Sequence, residues 1–356
     1  MSRFIQMHIL TSYPPSNLNR DDTGRPKTAV IGDCTRLRIS SQSLKRAWRT
    51  SDIFETALKG HIGTRTKEMG IGVYQSLVKQ GVSEQNARDW AKTIASQFGK
   101  LKSDKKAGNN EDLHVEQLVH FNPDEERAIA DLVAQLVASK TEPSDDDLKL
   151  LRKHHTAVDI AMFGRMLASS PAFNTEAAIQ VAHAITVHKA AVEDDYFIAV
   201  DDLNTGEEDK GAAHIGELGF GAGVFYLYIC VDRELLQKNL GGDAALTQKA
   251  LNAFVQAVTK VSPTGKQNSF ASRAYAGFVL AEKGDQQPRS LAQAFLKPVK
   301  PNPEIGEDTL TRAIKELTKR RDNFNTVYGN CADASAQFNV EKGEGSLSAI
   351  ADFIAK

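Results

Sequence analysis

The period of the hydrophobic pattern changes twice along this chain, and that double change limits the fold more than any single motif. Residues 3 to 12 alternate like a strand, with Ile5, Met7 and Ile9 on one face and Phe4, Gln6, His8 and Leu10 on the other. A turn-rich loop with Pro14-Pro15 and Thr23-Gly24-Arg25-Pro26 leads to a second short strand near Leu37 and Ile39, and Ser40 or Ser41 then caps a predicted helix over 41–50. From 55 to 190 the period becomes helical. Ala87, Trp90, Ala91, Ile94 and Phe98 form one stripe, and Ile129, Leu132, Val133, Leu136 and Val137 form another. Asn122-Pro123-Asp124-Glu125 reads as an N-cap, a first-turn proline and a capping-box carboxylate.

Strand-like runs return at Tyr196 to Val200 and at Gly223 to Val231, where Phe225, Leu227, Ile229 and Val231 alternate with Val224, Tyr226, Tyr228 and Cys230. Between them lies a polar arm, Asn204 to Gly211. Asp243 caps a helix with Leu246, Ala250, Phe254 and Val258 on one stripe, a further strand follows near Tyr275 to Ala281, and a basic amphipathic helix runs from Leu310 to Arg321. Strand, helix, long excursion, strand, helix, strand is compatible with an α+β, ferredoxin-like (RRM-like) core interrupted by a helical insertion and an arm. With 356 residues and 41% hydrophobic composition the chain can bury such a core.

Neither an 18-residue apolar run nor a signal peptide is present, and three scattered cysteines suit free thiols, so a cytoplasmic protein with no membrane association is expected. The net charge of −1 hides an uneven distribution. Arg20 to Arg49 is basic, with Arg20, Arg25, Lys27, Arg36, Arg38, Lys45, Arg46 and Arg49 against Asp21, Asp22 and Asp33. Glu193 to Glu217 is acidic, relieved only by Lys210. Such a chain can hold phosphates with one surface and meet another copy with the other, or it can carry two unrelated solvated surfaces.

The densest feature is Arg38-Ile39-Ser40-Ser41-Gln42-Ser43-Leu44-Lys45-Arg46-Ala47-Trp48-Arg49. With Leu44, Ala47 and Trp48 facing the core, Lys45 and Arg49 stand one turn apart on the open side beside Arg46. The hydroxyls of Ser40, Ser41 and Ser43 and the Gln42 amide add donors, which together suit a phosphate backbone and do not read bases. An ordinary capped helix with a solvated basic face fits the same residues. Arg20 can pair locally or contact a second phosphate. Met166 can belong to a core or wedge against a base, and Lys266 sits either in a plain turn or in a phosphate-facing loop.

Catalytic and metal-binding patterns are weaker. His183 and His188 are split across a helix by their spacing, and adjacent His154 and His155 cannot share a face. Asp194-Asp195 and Asp201-Asp202 could hold Mg²⁺, although acidic hairpins are more often solvated. Gly219-Phe220-Gly221-Ala222-Gly223 lacks the Lys of a phosphate loop and reads as a hinge. No cofactor is expected.

Ser16 to Asp22, Arg38 to Ala47, Val181 to Thr186, Phe197 to Leu203 and Gly223 to Tyr226 together closely resemble the CasC family, the repeating backbone subunit of the type I-E CRISPR Cascade complex. The likeness spans residues 1 to about 280. It implies a right-hand shape: a palm from 1–54 and 224–356, helical fingers from 55–190, and a β-hairpin thumb from 191–223. By motif position, Arg20, Ser40, Gln42, Lys45, Arg46 and Arg49 would grip guide-RNA phosphates with Lys27 nearby, Met166 and Phe197 would pack against bases, and Lys266 would be a lesser contact. The implied partners are crRNA, further copies of the chain, target DNA, and the other Cascade subunits: large, small, guide 5'-end-capping and guide-processing endoribonuclease. The implied role is non-catalytic. The competing expectation is a metal-dependent ribonuclease like the backbone subunits of type III complexes, with Asp33 as the candidate aspartate.

Overall fold

In the computed structural model, which describes residues 2–103, 110–153, 156–199 and 214–356, both faces of the first strand are buried. Ile5, Met7 and Ile9 are fully covered, as the alternation requires, and so are Gln6 and His8 opposite them. Those polar side chains are tolerated because each is satisfied. His8 lies 2.9 Å from the Tyr226 hydroxyl and 3.2 Å from Glu282, and Tyr228 donates to Gln6 at 2.9 Å. Arg289 closes the group with a bidentate grip on Glu282 at 2.6 and 3.0 Å, which with His8 holds that carboxyl down at about 2 against the cost of burial.

The architecture is α+β, and the chain divides into two compact units. The first comprises 1–54, 180–231 and 251–356; the second comprises 55–179 and 232–250. The helical stretch drawn at 55–190 from the sequence therefore stands beside a division at 179/180, because Ala184–Thr186 pairs with Cys34–Ile39 and with His214–Asp232 in the first unit's sheet.

That sheet runs in the order Ala334–Asn339, Ala276–Gly284, Phe4–Ser16, His214–Asp232, Ala184–Thr186, Cys34–Ile39, Thr28–Ile31. Phe4–Ser16 pairs antiparallel with Ala276–Gly284, from Phe4 opposite Gly284 to Leu10 opposite Phe278. One core joins Leu10, Phe278 and Leu280 to Phe295 and to Leu310, Ala313 and Leu317 of the Thr309–Tyr328 helix. Elsewhere in this unit Trp48 meets Phe254 edge-on, with ring centroids 5.7 Å apart, and so ties the Ser41–Arg49 helix to Ala244–Lys260.

Glu193–Ala199 and the far end of His214–Asp232 form an antiparallel hairpin, Glu193 opposite Phe220 and Ala199 opposite His214. The glycines read as a hinge, Gly219 to Gly223, lie inside this continuous 19-residue strand. Their role is clearance: a Cβ on Gly221 would meet Leu37 at 2.8 Å, and one on Gly223 would meet His188 at 2.5 Å. The arm residues Asn204 to Gly211, with Asp201 and Asp202, lie outside the described residues, as do His154 and His155.

In the second unit the two expected stripes meet. Trp90, Ile94 and Phe98 of the Glu84–Ser96 helix region share a core with Ile129, Leu132 and Leu136 of Pro123–Ser139. The Asn122/Glu125 capping box is formed. Among the described residues no helix is long and apolar enough to cross a membrane.

Candidate nucleic-acid interface

The basic helix Ser41–Arg49 begins at Ser40, whose hydroxyl accepts from the Ser43 amide at 3.4 Å and which is itself buried. Leu44, Ala47 and Trp48 form the covered side. Two polar stripes remain by helical spacing: Gln42, Lys45 and Arg49 on one, Ser43, Arg46 and Thr50 on the next. Partial burial lowers the Lys45 ammonium below the ordinary lysine range, so an anion beside it would return electrostatic energy lost to desolvation.

Asn19 joins this helix to the loop before it. Its side chain accepts from the Ser40 amide at 2.8 Å while its backbone carbonyl accepts from the Lys27 amide at 2.8 Å. Asp21 holds the intervening turn by accepting from the amides of Thr23 and Arg25, both at 3.0 Å, and from the Thr23 hydroxyl at 2.8 Å. Arg20 is thereby fixed at the lip of a cavity of about 420 Å³ lined by Asn19, Arg20, Asp21, Ser43, Arg46 and the Thr264-Gly265 turn. Three segments distant in sequence converge there. Arg20 and Arg46 are exposed, and among the described residues neither has a carboxylate partner.

Gly265 brings the third segment in. A Cβ at this position would lie 2.4 Å from the Leu18 carbonyl oxygen and 2.6 Å from that of Asn17, so the turn rests directly on the loop backbone. Exposed Lys266 follows in a left-handed conformation, φ 51°. Gly265→Ala is expected to cost about 1–3 kcal/mol and to displace Thr264 from the cavity it shares with Arg20. A denaturant melt of the purified variant checks this; an unshifted midpoint would contradict it.

Not every cation of the basic segment reaches this surface. Arg36 is fully buried, donating to the carbonyls of Thr186 at 3.0 Å and Phe295 at 2.8 Å. Arg25 is spent on the hairpin of its own chain, 2.7 Å from Asp194 and 3.5 Å from Glu217. Conversely, sequence reasoning passed over the pair formed by Arg38 and His183. Arg38 Nη1 lies 2.8 Å from His183 Nδ1 across a separation of 145 residues. Both residues stand in motifs quoted above, yet only the pairing of Cys34–Ile39 with Ala184–Thr186 brings them together.

Two expected base contacts are placed separately. Met166, in the second unit, is 73% exposed, so it is a surface residue and not part of a core. It borders a cleft of about 190 Å³ with Phe98, Lys100, Glu116 and Leu118. Phe197, on the hairpin, lies over Gly216 opposite it, where a Cβ would fall 2.2 Å from the ring. Asp33 is exposed and follows Gly32 with both φ values at 59°, the geometry of a two-residue primed hairpin turn between Thr28–Ile31 and Cys34–Ile39.

A family model described as CT1975-like protein matches residues 5–353. The chain belongs to the CT1975-like protein family. This CT1975-like chain is also similar to a solved "CRISPR RNA-guided surveillance complex, pre-nicking" chain, with TM-score 0.86, 29% identity and 99% of each chain covered. A second similar chain, from a "CRISPR RNA-guided surveillance complex", gives TM-score 0.61 and 26% identity over 99% of this chain and 98% of the other. A comparison with curated proteins finds no match. The resemblance carried by the motifs, that of a Cas backbone subunit, is borne out.

Proposed function

We propose that this CT1975-like chain is a crRNA-binding, non-catalytic backbone subunit of a type I-E CRISPR Cascade complex, acting in the cytoplasm. The observation that carries the reading is the convergence of Arg20, Arg46 and the Thr264-Gly265 turn on one open cavity, with Gln42, Lys45 and Arg49 on the adjoining stripe of the same helix. Cations and hydroxyls gathered at one open site suit a ribose-phosphate strand of any sequence, as a guide with a variable spacer requires. The strand order Ala276–Gly284, Phe4–Ser16, His214–Asp232, Ala184–Thr186 supports a ferredoxin-like palm, since in chain order it reads fourth, first, third, second. The second unit would supply the fingers and the hairpin the thumb. Met166 and Phe197 are apolar and exposed, as a side chain packing on a base must be.

The similar solved chains come from RNA-guided surveillance complexes, which supports crRNA, further copies, target DNA and the other Cascade subunits as partners. Asp33 is accounted for by its turn, which favours the non-catalytic role over a ribonuclease centred on it. Two measurements test the proposal. On single-stranded RNAs of increasing length the number of bound copies is expected to rise with length, and incubation with Mg²⁺ should leave the RNA intact. Saturation at one copy on every length would sink the backbone role, and cleavage lost in Asp33→Ala would select the ribonuclease.

A further inference from the structure

Arg20, Lys27 and Arg38 stand on successive hydrogen-bonded chain segments. Arg20 bridges to Pro26, the Lys27 amide donates to the Asn19 carbonyl, and the Arg38 amide donates to the Lys27 carbonyl at 2.8 Å. The row ends at His183, an exposed imidazole whose Nδ1 faces Arg38 Nη1 at 2.8 Å. Neighbouring strands lie about 4.8 Å apart, so the row is a strip of positive charge running across the strands and away from the Arg20 cavity. We infer that Lys27, Arg38 and His183 form a second phosphate subsite on this strip, and that His183 takes up a proton from solvent when a phosphate occupies it. The inference rests on the guide-RNA reading above, which already places Lys27 near the phosphates, and adds to it Arg38, His183 and a linked proton, which the motif positions do not assign.

The chemistry follows from the donors. A guanidinium can only donate, so Nδ1 of His183 accepts from Arg38 and the remaining proton of the neutral ring sits on Nε2. Partial desolvation, then Arg38 and Lys27, hold His183 below its usual range and keep it neutral at physiological pH. Among the described residues no carboxylate acts on it. A phosphate oxygen entering between the Arg38 guanidinium and the neutral His183 ring becomes the acceptor for Arg38 and sets a negative charge beside His183. Protonated Nδ1 can then donate to the same oxygen, so anion and proton bind with positive coupling, and affinity rises as pH falls. Arg38 is anchored for this role by the donation of its Nε to the Thr28 carbonyl at 3.2 Å.

The test uses the full chain and a short oligouridylate, with affinity measured from about pH 8 to about pH 6 at fixed salt, the range in which an imidazole titrates. For the unaltered chain affinity is expected to rise about tenfold across that range, as one linked proton allows. His183→Gln should bind within about threefold of the unaltered chain at the alkaline end and lose most of the rise. Arg38→Gln should flatten the salt slope by about 0.7, while Arg38→Lys, which keeps the charge, should preserve it. An unchanged pH profile in His183→Gln, or an unchanged salt slope in Arg38→Gln, overturns the subsite while leaving the RNA-binding role standing. Failure of the unaltered chain to bind overturns both. A thermal melt of each variant separates misfolding from lost contact.

Discussion

Replacing Arg20 and Arg46 together by alanine is expected to weaken binding to single-stranded RNA by at least about a hundredfold at moderate salt, because each charge-assisted contact contributes about 1.5–3 kcal/mol. Log affinity against log salt should flatten by about 1.4, since each phosphate neutralised on a single strand contributes about 0.7. With about five phosphates covered per copy, the unaltered slope would be about −3.5, so the change is well resolved. Both side chains are exposed, and the thermal midpoint should barely move. The two arginines come from different segments and line one cavity, so the double variant empties it of cationic side chains without touching the core. Should the slope stay the same, phosphate lies elsewhere and the cavity is not the grip.

Arg165→Ala is expected to cost the second unit about 3–5 kcal/mol, the range for stranding one member of a buried ion pair. Arg165 and Glu125 are both completely covered, 2.6 Å apart. The guanidinium also donates to the carbonyls of His120, Arg152 and Phe173 at 3.1–3.2 Å, and Glu125 accepts from the amides of Asn122 and Arg152. Removing the cation leaves an unpaired carboxylate and orphaned carbonyls at the start of Pro123–Ser139. Hydrogen exchange resolved by segment is the suitable measurement, because loss should concentrate in 55–179 while the first unit's sheet stays protected. Uniform protection in both units would refute this account.

Much of this was readable in the one-dimensional pattern. Trp48, Leu44 and Ala47 are where helical spacing puts them, and Asn122-Pro123-Asp124-Glu125 starts a helix as its chemistry demands. What the pattern could not reveal depends on partners far along the chain. Gln6 and His8 look like solvent-facing positions unless Tyr226, Tyr228, Glu282 and Arg289 are known to lie beneath them. Arg36 and Arg38 share a strand face by parity, yet one is buried under carbonyls and the other meets an imidazole. The glycine run 219–223 signals flexibility in isolation; only the closeness of Leu37 and His188 shows that it signals clearance.

The Arg25 contacts with Asp194 and Glu217 carry a mechanical corollary. They pin both described strands of the hairpin to the same turn that presents Arg20 and Lys27, so tension on those strands is transmitted to that turn. Because half-exposed ion pairs of this kind are soft and screened by salt, the linkage behaves as a compliant spring and not as a rigid strut.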